Sequence, residues 1–291
     1  MDSRRAGTDD TRYIGSSDPD EADRLARQDD SGASELAAAL GELGNIRQRT
    51  VTVLEIGCGA GHFTHLLLEH LPHASIVGID RDQRLLDAAN GHLRDAVLSG
   101  RLELLPADTT HFGLDEHPFD LVACRCVLMH QPDPFIMVGE MFRLLKPGGH
   151  VLAIEPDWGA RALYPDGEAL SELVAIAARA QRFGFPDLQM GRKLFALLRA
   201  GGFRDVRVIP HPFVEAGGDD QTLQPAAHAA TGPGQLLEQA RRLLRSNGVL
   251  TDDQVDGLQE RFMASRRNPE HFSAGVDFTA IGTRPAIPEV R

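Results

Sequence analysis

The sequence predicts an α/β fold: a mostly parallel sheet with helices on both faces and a helical cap. Short runs of β-branched and aliphatic residues, beginning with Val51–Ile56, alternate with segments such as His62–His70, whose apolar residues recur at helical spacing. Gly57, Gly59 and Gly61 join this first strand to its helix. Parallel strands need a crossover connection, usually a helix, so the alternation favours a parallel sheet.

Length and composition narrow the class of protein. The chain has 291 residues, 42% of them apolar, which is enough for one large core or one core with a cap. A formal net charge of −12 without a basic tract argues against a nucleic-acid partner. We expect a cytoplasmic protein, because the three cysteines lie in predicted core elements and give no disulfide framework. The apolar runs are too short for a membrane span, and the polar N-terminus does not resemble a signal peptide. A homodimer is left open.

The glycine turn has the spacing Glu55-x-Gly57-x-Gly59-x-Gly61. A dinucleotide-binding fingerprint would need glycine in place of His62. The spacing instead resembles motif I of the class I S-adenosylmethionine-dependent methyltransferases, in which the backbone of this turn lies against the cofactor. A tight strand–helix turn without a ligand is the alternative.

A second predicted strand, Ser75–Asp80, ends in a carboxylate. Ligands of open α/β sheets bind at the carboxyl ends of strands, and a carboxylate about 20 residues beyond the glycines can accept both hydroxyls of an adenosine ribose. Dinucleotide-binding enzymes share this feature. The competing interpretation of Asp80 is the N-cap of the helix that begins near Asp82.

The next strands extend the resemblance. A third strand, Arg101–Pro106, precedes Asp108, the position at which the methyltransferase family accepts a hydrogen bond from the adenine amino group. A fourth strand, Phe119–Cys126, resembles family motif IV, and Arg143–Gly149 resembles the signature that leads into strand five, His150–Glu155. Together the matches cover about residues 50–156.

The sequence is therefore similar to the small-molecule (UbiE-like) group of that family. The resemblance implies a Rossmann-like, seven-stranded, mostly parallel sheet with an antiparallel last strand, and S-adenosyl-L-methionine as cofactor. It implies cofactor contacts from Tyr13, Glu55, Gly57, Cys58, Gly59, Gly61, Asp80, Arg81, Asp108, Thr109 and Arg125. The candidate substrate contacts are Met129, Trp158 and His211; the flat apolar side chain of Trp158 could stack on a substrate or could equally close the core.

His130 is the candidate catalytic residue, because a neutral imidazole after strand four could take a proton from the acceptor. The alternative is structural, a hydrogen bond to the following proline turn. His211 and His271 are further candidate bases. Cys124, Cys126 and His130 do not predict a metal site, since structural zinc needs four ligands and the thiols suit the core.

The remaining segments are predicted from their patterns. Residues 155–159 read as a loop, and an N-terminal pair of helices should break near Ser31-Gly32. The predicted organisation is an N-terminal cap segment (1–48, with about the first 11 residues disordered), the cofactor-binding core (49–156), cap helices (157–190), a core helix and strand six (191–213), a helical lid (214–272, with helices near 234–247 and 251–265), and the last strand and tail (273–291).

Three functions fit this pattern. The first is transfer of a methyl group to an oxygen, nitrogen or carbon atom of a small, apolar or aromatic metabolite. The second is a reaction such as a cyclisation, in which the cofactor is not a methyl donor. The third is a non-catalytic protein that binds the cofactor.

Overall fold

A computed structural model describes residues 29–107, 119–216 and 232–286. Seven strands form one sheet in the order β3-β2-β1-β4-β5-β7-β6. The strands are β1 (Val51–Ile56), β2 (Ala74–Asp80), β3 (Leu102–Pro106), β4 (Phe119–Arg125), β5 (Leu145–Tyr164), β6 (Arg204–Ala216) and β7 (Phe272–Thr283). Neighbouring strands from β3 to β5 are parallel, whereas β7 is antiparallel to both β5 and β6. This architecture confirms the predicted fold class.

Helices cover both faces of the sheet. In chain order the described α-helices are α1 (Asp29–Glu42), α2 (His62–His70), α3 (Gln83–His92), α4 (Arg94–Leu98), α5 (Pro134–Leu144), α6 (Gly167–Ala180), α7 (Leu194–Ala200), α8 (Pro233–Ser246) and α9 (Asp252–Arg267). Short 3₁₀ turns include Leu128–His130 after β4. No helix in the described part of the chain is long and apolar enough to cross a membrane.

Two apolar clusters hold the helices on the sheet. Leu54 and Ile56 of β1 belong to the cluster that includes α5, α6 and α7. Val53 of β1 belongs to the opposite cluster, which includes Leu36 of α1 and Leu67 of α2. Adjacent strand residues point to opposite faces, so one short apolar strand packs against both helical layers.

The first described helix corrects one prediction. The sequence suggested a break near Ser31-Gly32, but α1 runs through these residues from Asp29 to Glu42. A Cβ atom at Gly32 would lie 3.1 Å from Leu66 Cδ1 and 3.4 Å from Arg125 Nε. The glycine therefore allows α1 to approach α2 and the end of β4 closely, and it does not end the helix.

The fifth strand corrects a second prediction. Residues 155–159, expected to form a loop, continue β5, and Glu155 pairs with Phe278 of β7. The register shifts between Asp157 and Ala162, and pairing then resumes to Tyr164. Strand β6 likewise runs to Ala216, beyond the predicted strand. Local sequence patterns do not predict these extensions, because β5, β6 and β7 stabilise one another through pairing between segments that are distant in sequence.

The two helices predicted near residues 234–247 and 251–265 are present, as α8 and α9. Helix α9 begins at a capping box: Gln254 N–H donates to Thr251 Oγ1 (3.2 Å), and Thr251 N–H donates to Gln254 Oε1 (2.9 Å). Helices α8 and α9 pack on each other, and both contact α6. They place a helical layer beside the outer ends of β5, β6 and β7.

Candidate functional site

The glycine turn connects the ends of two neighbouring strands. Gly57, Gly59 and Gly61 have φ values of 71°, 53° and 89°, which favour glycine. The Gly57 and Cys58 N–H groups both donate to Ile79 O of β2, at 2.8 and 3.0 Å. A Cβ atom at Gly57 would lie 2.5 Å from Val127 Cγ2. The turn is therefore a tight, fixed backbone surface at the carboxyl end of β1.

Asp80 lies at the end of β2, beside this turn. Its Oδ2 accepts a hydrogen bond from Gly59 N–H, and its Oδ1 accepts one from Asp82 N–H, both at 2.9 Å. Burial raises the pKa of Asp80 above its usual value, although these two bonds oppose the shift. The N-cap of α3 is Asp82, which accepts from Arg84 N–H at 3.0 Å. Asp80 is thus fixed in orientation and is not the helix cap.

A second carboxyl group lies at the base of the turn. Glu55, on β1, is 1% exposed, and its Oε2 has no hydrogen-bond partner among the described residues. Burial raises the pKa of Glu55 to about 8; the nearby Thr64 hydroxyl opposes the shift, and the negative charge of Asp80 adds to it. A buried polar atom without a partner is costly and commonly marks a place where a ligand or water binds. Glu55 and the glycine turn therefore fit a ligand with a hydrogen-bond donor.

The end of β4 carries a buried ion pair. Arg125 Nε lies 3.3 Å from Glu35 Oε2 of α1, and Glu35 is 2% exposed. Burial opposes the charge of Arg125, but the Glu35 carboxylate raises the pKa of the guanidinium above its usual value. This pair holds α1 over the carboxyl edge of the sheet.

The next residue, Cys126, has a positive φ of 55°, although it is not glycine. Its N–H donates to Ile154 O of β5 at 2.9 Å. Burial raises the pKa of its thiol to about 12, so the sulfur stays protonated near neutral pH. Strained backbone is concentrated at functional sites, which supports a ligand-facing role for the end of β4.

Glu155 of β5 organises the turn that carries His130. This fully buried carboxyl accepts hydrogen bonds from the N–H groups of Val127 (2.9 Å), Leu128 (2.6 Å) and Met129 (3.4 Å). Burial raises the pKa of Glu155 to about 8. The sequence analysis missed this role. The available signal was an acidic residue at the end of an otherwise apolar strand.

The predicted site residues fall into two groups. The first group comes together at the ends of β1 and β2, with Glu55 beneath it, and consists of Gly57, Cys58, Gly59, Gly61, Asp80 and Arg81. Arg125 and the turn bearing Met129 and His130 follow the neighbouring strand β4. Tyr13, Asp108 and Thr109 lie outside the described residues.

The other candidates lie farther along the sheet. Trp158 is 5% exposed within the core, with the Arg161 guanidinium 4.4 Å from its ring centre. His211 Nε2 lies 2.9 Å from Thr279 Oγ1, so this histidine is held on the sheet surface. His271 is buried, with Nδ1 3.3 Å from Ser265 Oγ of α9. No group of His, Cys, Asp and Glu side chains that could hold a metal ion occurs in the described ranges.

Comparison with known proteins agrees with this geometry. Residues 48–190 match the family model described as a methyltransferase domain. A trans-aconitate 2-methyltransferase of an Azoarcus species is 36% identical over 104 residues, or 36% of this chain and 38% of that protein. An uncharacterised 37.1 kDa protein of a Streptomyces fradiae transposon is 29% identical over 241 residues, or 79% of this chain and 60% of that protein. The chain thus spans less than two thirds of the length of these relatives.

Among solved structures, a phosphoethanolamine N-methyltransferase of Haemonchus contortus superposes with a TM-score of 0.57 at 18% identity. The superposition covers 96% of this chain and 61% of the other. That protein was crystallised with phosphomonomethylethanolamine and S-adenosylhomocysteine. The similarity confirms the fold.

Proposed function

Because the chain belongs to the S-adenosylmethionine-dependent methyltransferases through its domain at residues 48–190, we propose that it transfers the methyl group of that cofactor to a small-molecule acceptor. The accepting atom is an oxygen, nitrogen or carbon of an apolar or aromatic compound. When bound, the cofactor supplies an electrophilic methyl group on a sulfonium.

One observation carries the proposal: the carboxylate of Asp80 is oriented by the glycine turn itself, through the 2.9 Å hydrogen bond from Gly59 N–H. The turn and the carboxylate form one surface across the ends of β1 and β2, where open α/β sheets bind their ligands. Each carboxylate oxygen of Asp80 retains acceptor capacity after its backbone hydrogen bond, which suits the two hydroxyls of an adenosine ribose.

We assign the inner part of this surface to the amino-acid end of the cofactor. The three glycines present backbone without a Cβ atom, and Glu55 Oε2 is a buried acceptor without a partner among the described residues. A donor group bound there would satisfy that oxygen. Asp108 and Thr109, which lie outside the described residues, stay predicted contacts of the adenine.

Catalysis by this chain would rest on alignment. Methyl transfer from a sulfonium is an in-line displacement, for which holding two reactants in register and excluding water supplies much of the acceleration. The Leu128–His130 turn is held rigidly by Glu155 at the end of β4, beside the glycine turn. This arrangement supports His130 as the candidate base for an acceptor that must lose a proton.

The test is a pair of measurements on the full chain. Calorimetry with S-adenosylhomocysteine should show saturable binding. Incubation with methyl-labelled S-adenosylmethionine and a panel of phenols, amines and carbon acids should then give a labelled product. Binding without any labelled product would favour a non-methylating reaction or a binding protein, and absence of binding would refute the proposal.

A further inference from the structure

A pocket lies between the outer ends of β5, β6 and β7 and the helices α8 and α9. Its enclosed part has a volume of about 60 Å³, and together with the part that opens to solvent the space is about 600 Å³. Its wall is mainly apolar, with Leu163, Leu170, Phe213 and Phe262 around it. It lies toward the same carboxyl edge of the sheet as the glycine turn, because β5 is parallel to β4 and β4 to β1.

One cation lies in this apolar wall. The side chain of Arg161, on β5 beyond the register shift, is 10% exposed. Its guanidinium carbon lies 4.4 Å from the ring centre of Trp158 and 5.0 Å from that of Phe213. Contacts with two aromatic rings fix the position of the guanidinium without using its N–H donors.

Arg161 uses only part of its hydrogen-bonding capacity on its neighbours, since Asp277 lies to one side of the guanidinium. Its Nη2 lies 3.7 Å from Asp277 Oδ1, which is beyond hydrogen-bond distance. Its Nε has no hydrogen-bond partner among the residues that the structure describes. A guanidinium offers five N–H donors, and a buried charge without hydrogen bonds is costly. The arrangement is therefore that of a binding group whose ligand completes it.

The other charged groups at this pocket are balanced. Arg266 Nη2 pairs with Glu215 Oε1 at 3.1 Å. Asp277 is the charged neighbour of Arg161, at 3.7 Å, and its charge also acts on Arg125; burial still outweighs Asp277 and lowers the pKa of Arg161. A cationic ligand would meet Arg161 without a free carboxylate to receive it. A carboxylate would meet an oriented fork of donors between apolar walls.

We propose that Arg161 is the anchor for a carboxylate-bearing, apolar methyl acceptor. That the bound carboxylate compound is the methyl acceptor rests on the proposed function, whereas carboxylate binding by Arg161 does not. The proposal narrows the acceptors from small apolar metabolites to those with an acidic group that pairs with the guanidinium and an apolar body that contacts Phe213 and Phe262.

The first arm of the test uses the wild-type full chain without cofactor. Benzoate, benzamide and benzylamine have similar size and differ in charge. Titration followed by ligand-observed NMR should show benzoate binding at least about 10-fold more tightly than the other two. Equal binding of benzamide, or no saturable binding of benzoate up to about 10 mM, would overturn the proposal.

The second arm uses three variants. Arg161→Met should abolish the preference for benzoate over benzamide, and Arg161→Lys should retain part of it, because it keeps the charge and loses the planar fork. The control is Arg267→Met, an exposed arginine of α9 that pairs with Glu260 outside the pocket. If Arg161→Met folds and keeps the preference, the anchor is wrong. If it does not fold, a preference in Arg161→Lys equal to that of wild type would also refute the proposal.

S-adenosylhomocysteine calorimetry, run in parallel, separates the two hypotheses. A carboxylate preference that depends on Arg161, without cofactor binding, would support the anchor and refute the methyltransferase proposal. Cofactor binding without a carboxylate preference would refute the anchor and leave methyl transfer to be tested by the labelled-product assay.

Discussion

Replacing Asp80 with alanine should weaken cofactor binding much more than it weakens the fold. The carboxylate has about four lone-pair sites. Two accept the N–H groups of Gly59 and Asp82, each at 2.9 Å, which leaves two for the ribose hydroxyls. A hydrogen bond to a charged group contributes about 1.5–3 kcal/mol. Because Asp80 is half-buried and water competes there, we expect a total loss of about 2–3 kcal/mol in binding free energy.

This loss corresponds to a 30- to 150-fold increase in Kd, on the order of what calorimetry measures readily. The full chain would be titrated with S-adenosylhomocysteine, and the free energy of unfolding would be measured by denaturant. The variant leaves two partly buried N–H groups without their acceptor, so it should also lose about 1–2 kcal/mol of stability. Because burial raises the pKa of Asp80, wild-type affinity should fall as the pH is lowered, beginning at a higher pH than for an ordinary aspartate.

The matched control is Asp82→Ala, two residues away. Asp82 caps α3, so its loss should cost about 1 kcal/mol of stability. Its replacement should change the affinity for S-adenosylhomocysteine by no more than about twofold, which is under 0.5 kcal/mol. An Asp80→Ala variant that is folded and binds the ligand with unchanged affinity would remove Asp80 from the site and refute this reasoning.

Three further predictions test other parts of the site. In a denaturation assay, Gly61→Ala should lose about 2 kcal/mol of stability, because the φ of Gly61 is 89° and a Cβ atom would lie 2.8 Å from Leu93 Cδ1. Its control is Gly91→Ala in α3, where a Cβ atom meets open space, and this variant should be neutral or stabilising. The pKa of Glu55 is raised from 4.5 to about 8, so between these pH values the folded chain holds a proton that the unfolded chain has lost. The free energy of unfolding should therefore fall as the pH rises through this interval. Glu55→Gln should reduce that slope in denaturation curves across the interval, and an unchanged slope would contradict the assignment. His130→Gln should lower turnover about 100-fold with S-adenosylhomocysteine affinity unchanged, and normal turnover would return His130 to a structural role.

Much of the proposed cofactor surface could be predicted because its signals are local. An apolar strand, three glycines at alternate positions and a carboxylate at the end of the next strand are all visible within about 30 residues of one another. Backbone conformation explains why: φ values of 53° to 89° in the turn favour glycine, so the residue type itself reports the geometry. The alternation of strand and helix likewise specified a parallel sheet.

The sequence by itself therefore determined the fold class, the order of the core elements and the position of Asp80 beside the glycine turn. Only the tertiary structure decided which groups surround them. Glu155 meets the turn at His130 across 26 to 28 positions of chain, and Arg161 meets Asp277 through the register of β5 on β7. Such contacts depend on strand length, register and burial, which arise from pairing between distant segments. No local spacing encodes them, which is why residues 155–159 read as a loop in the sequence and form part of a strand in the fold.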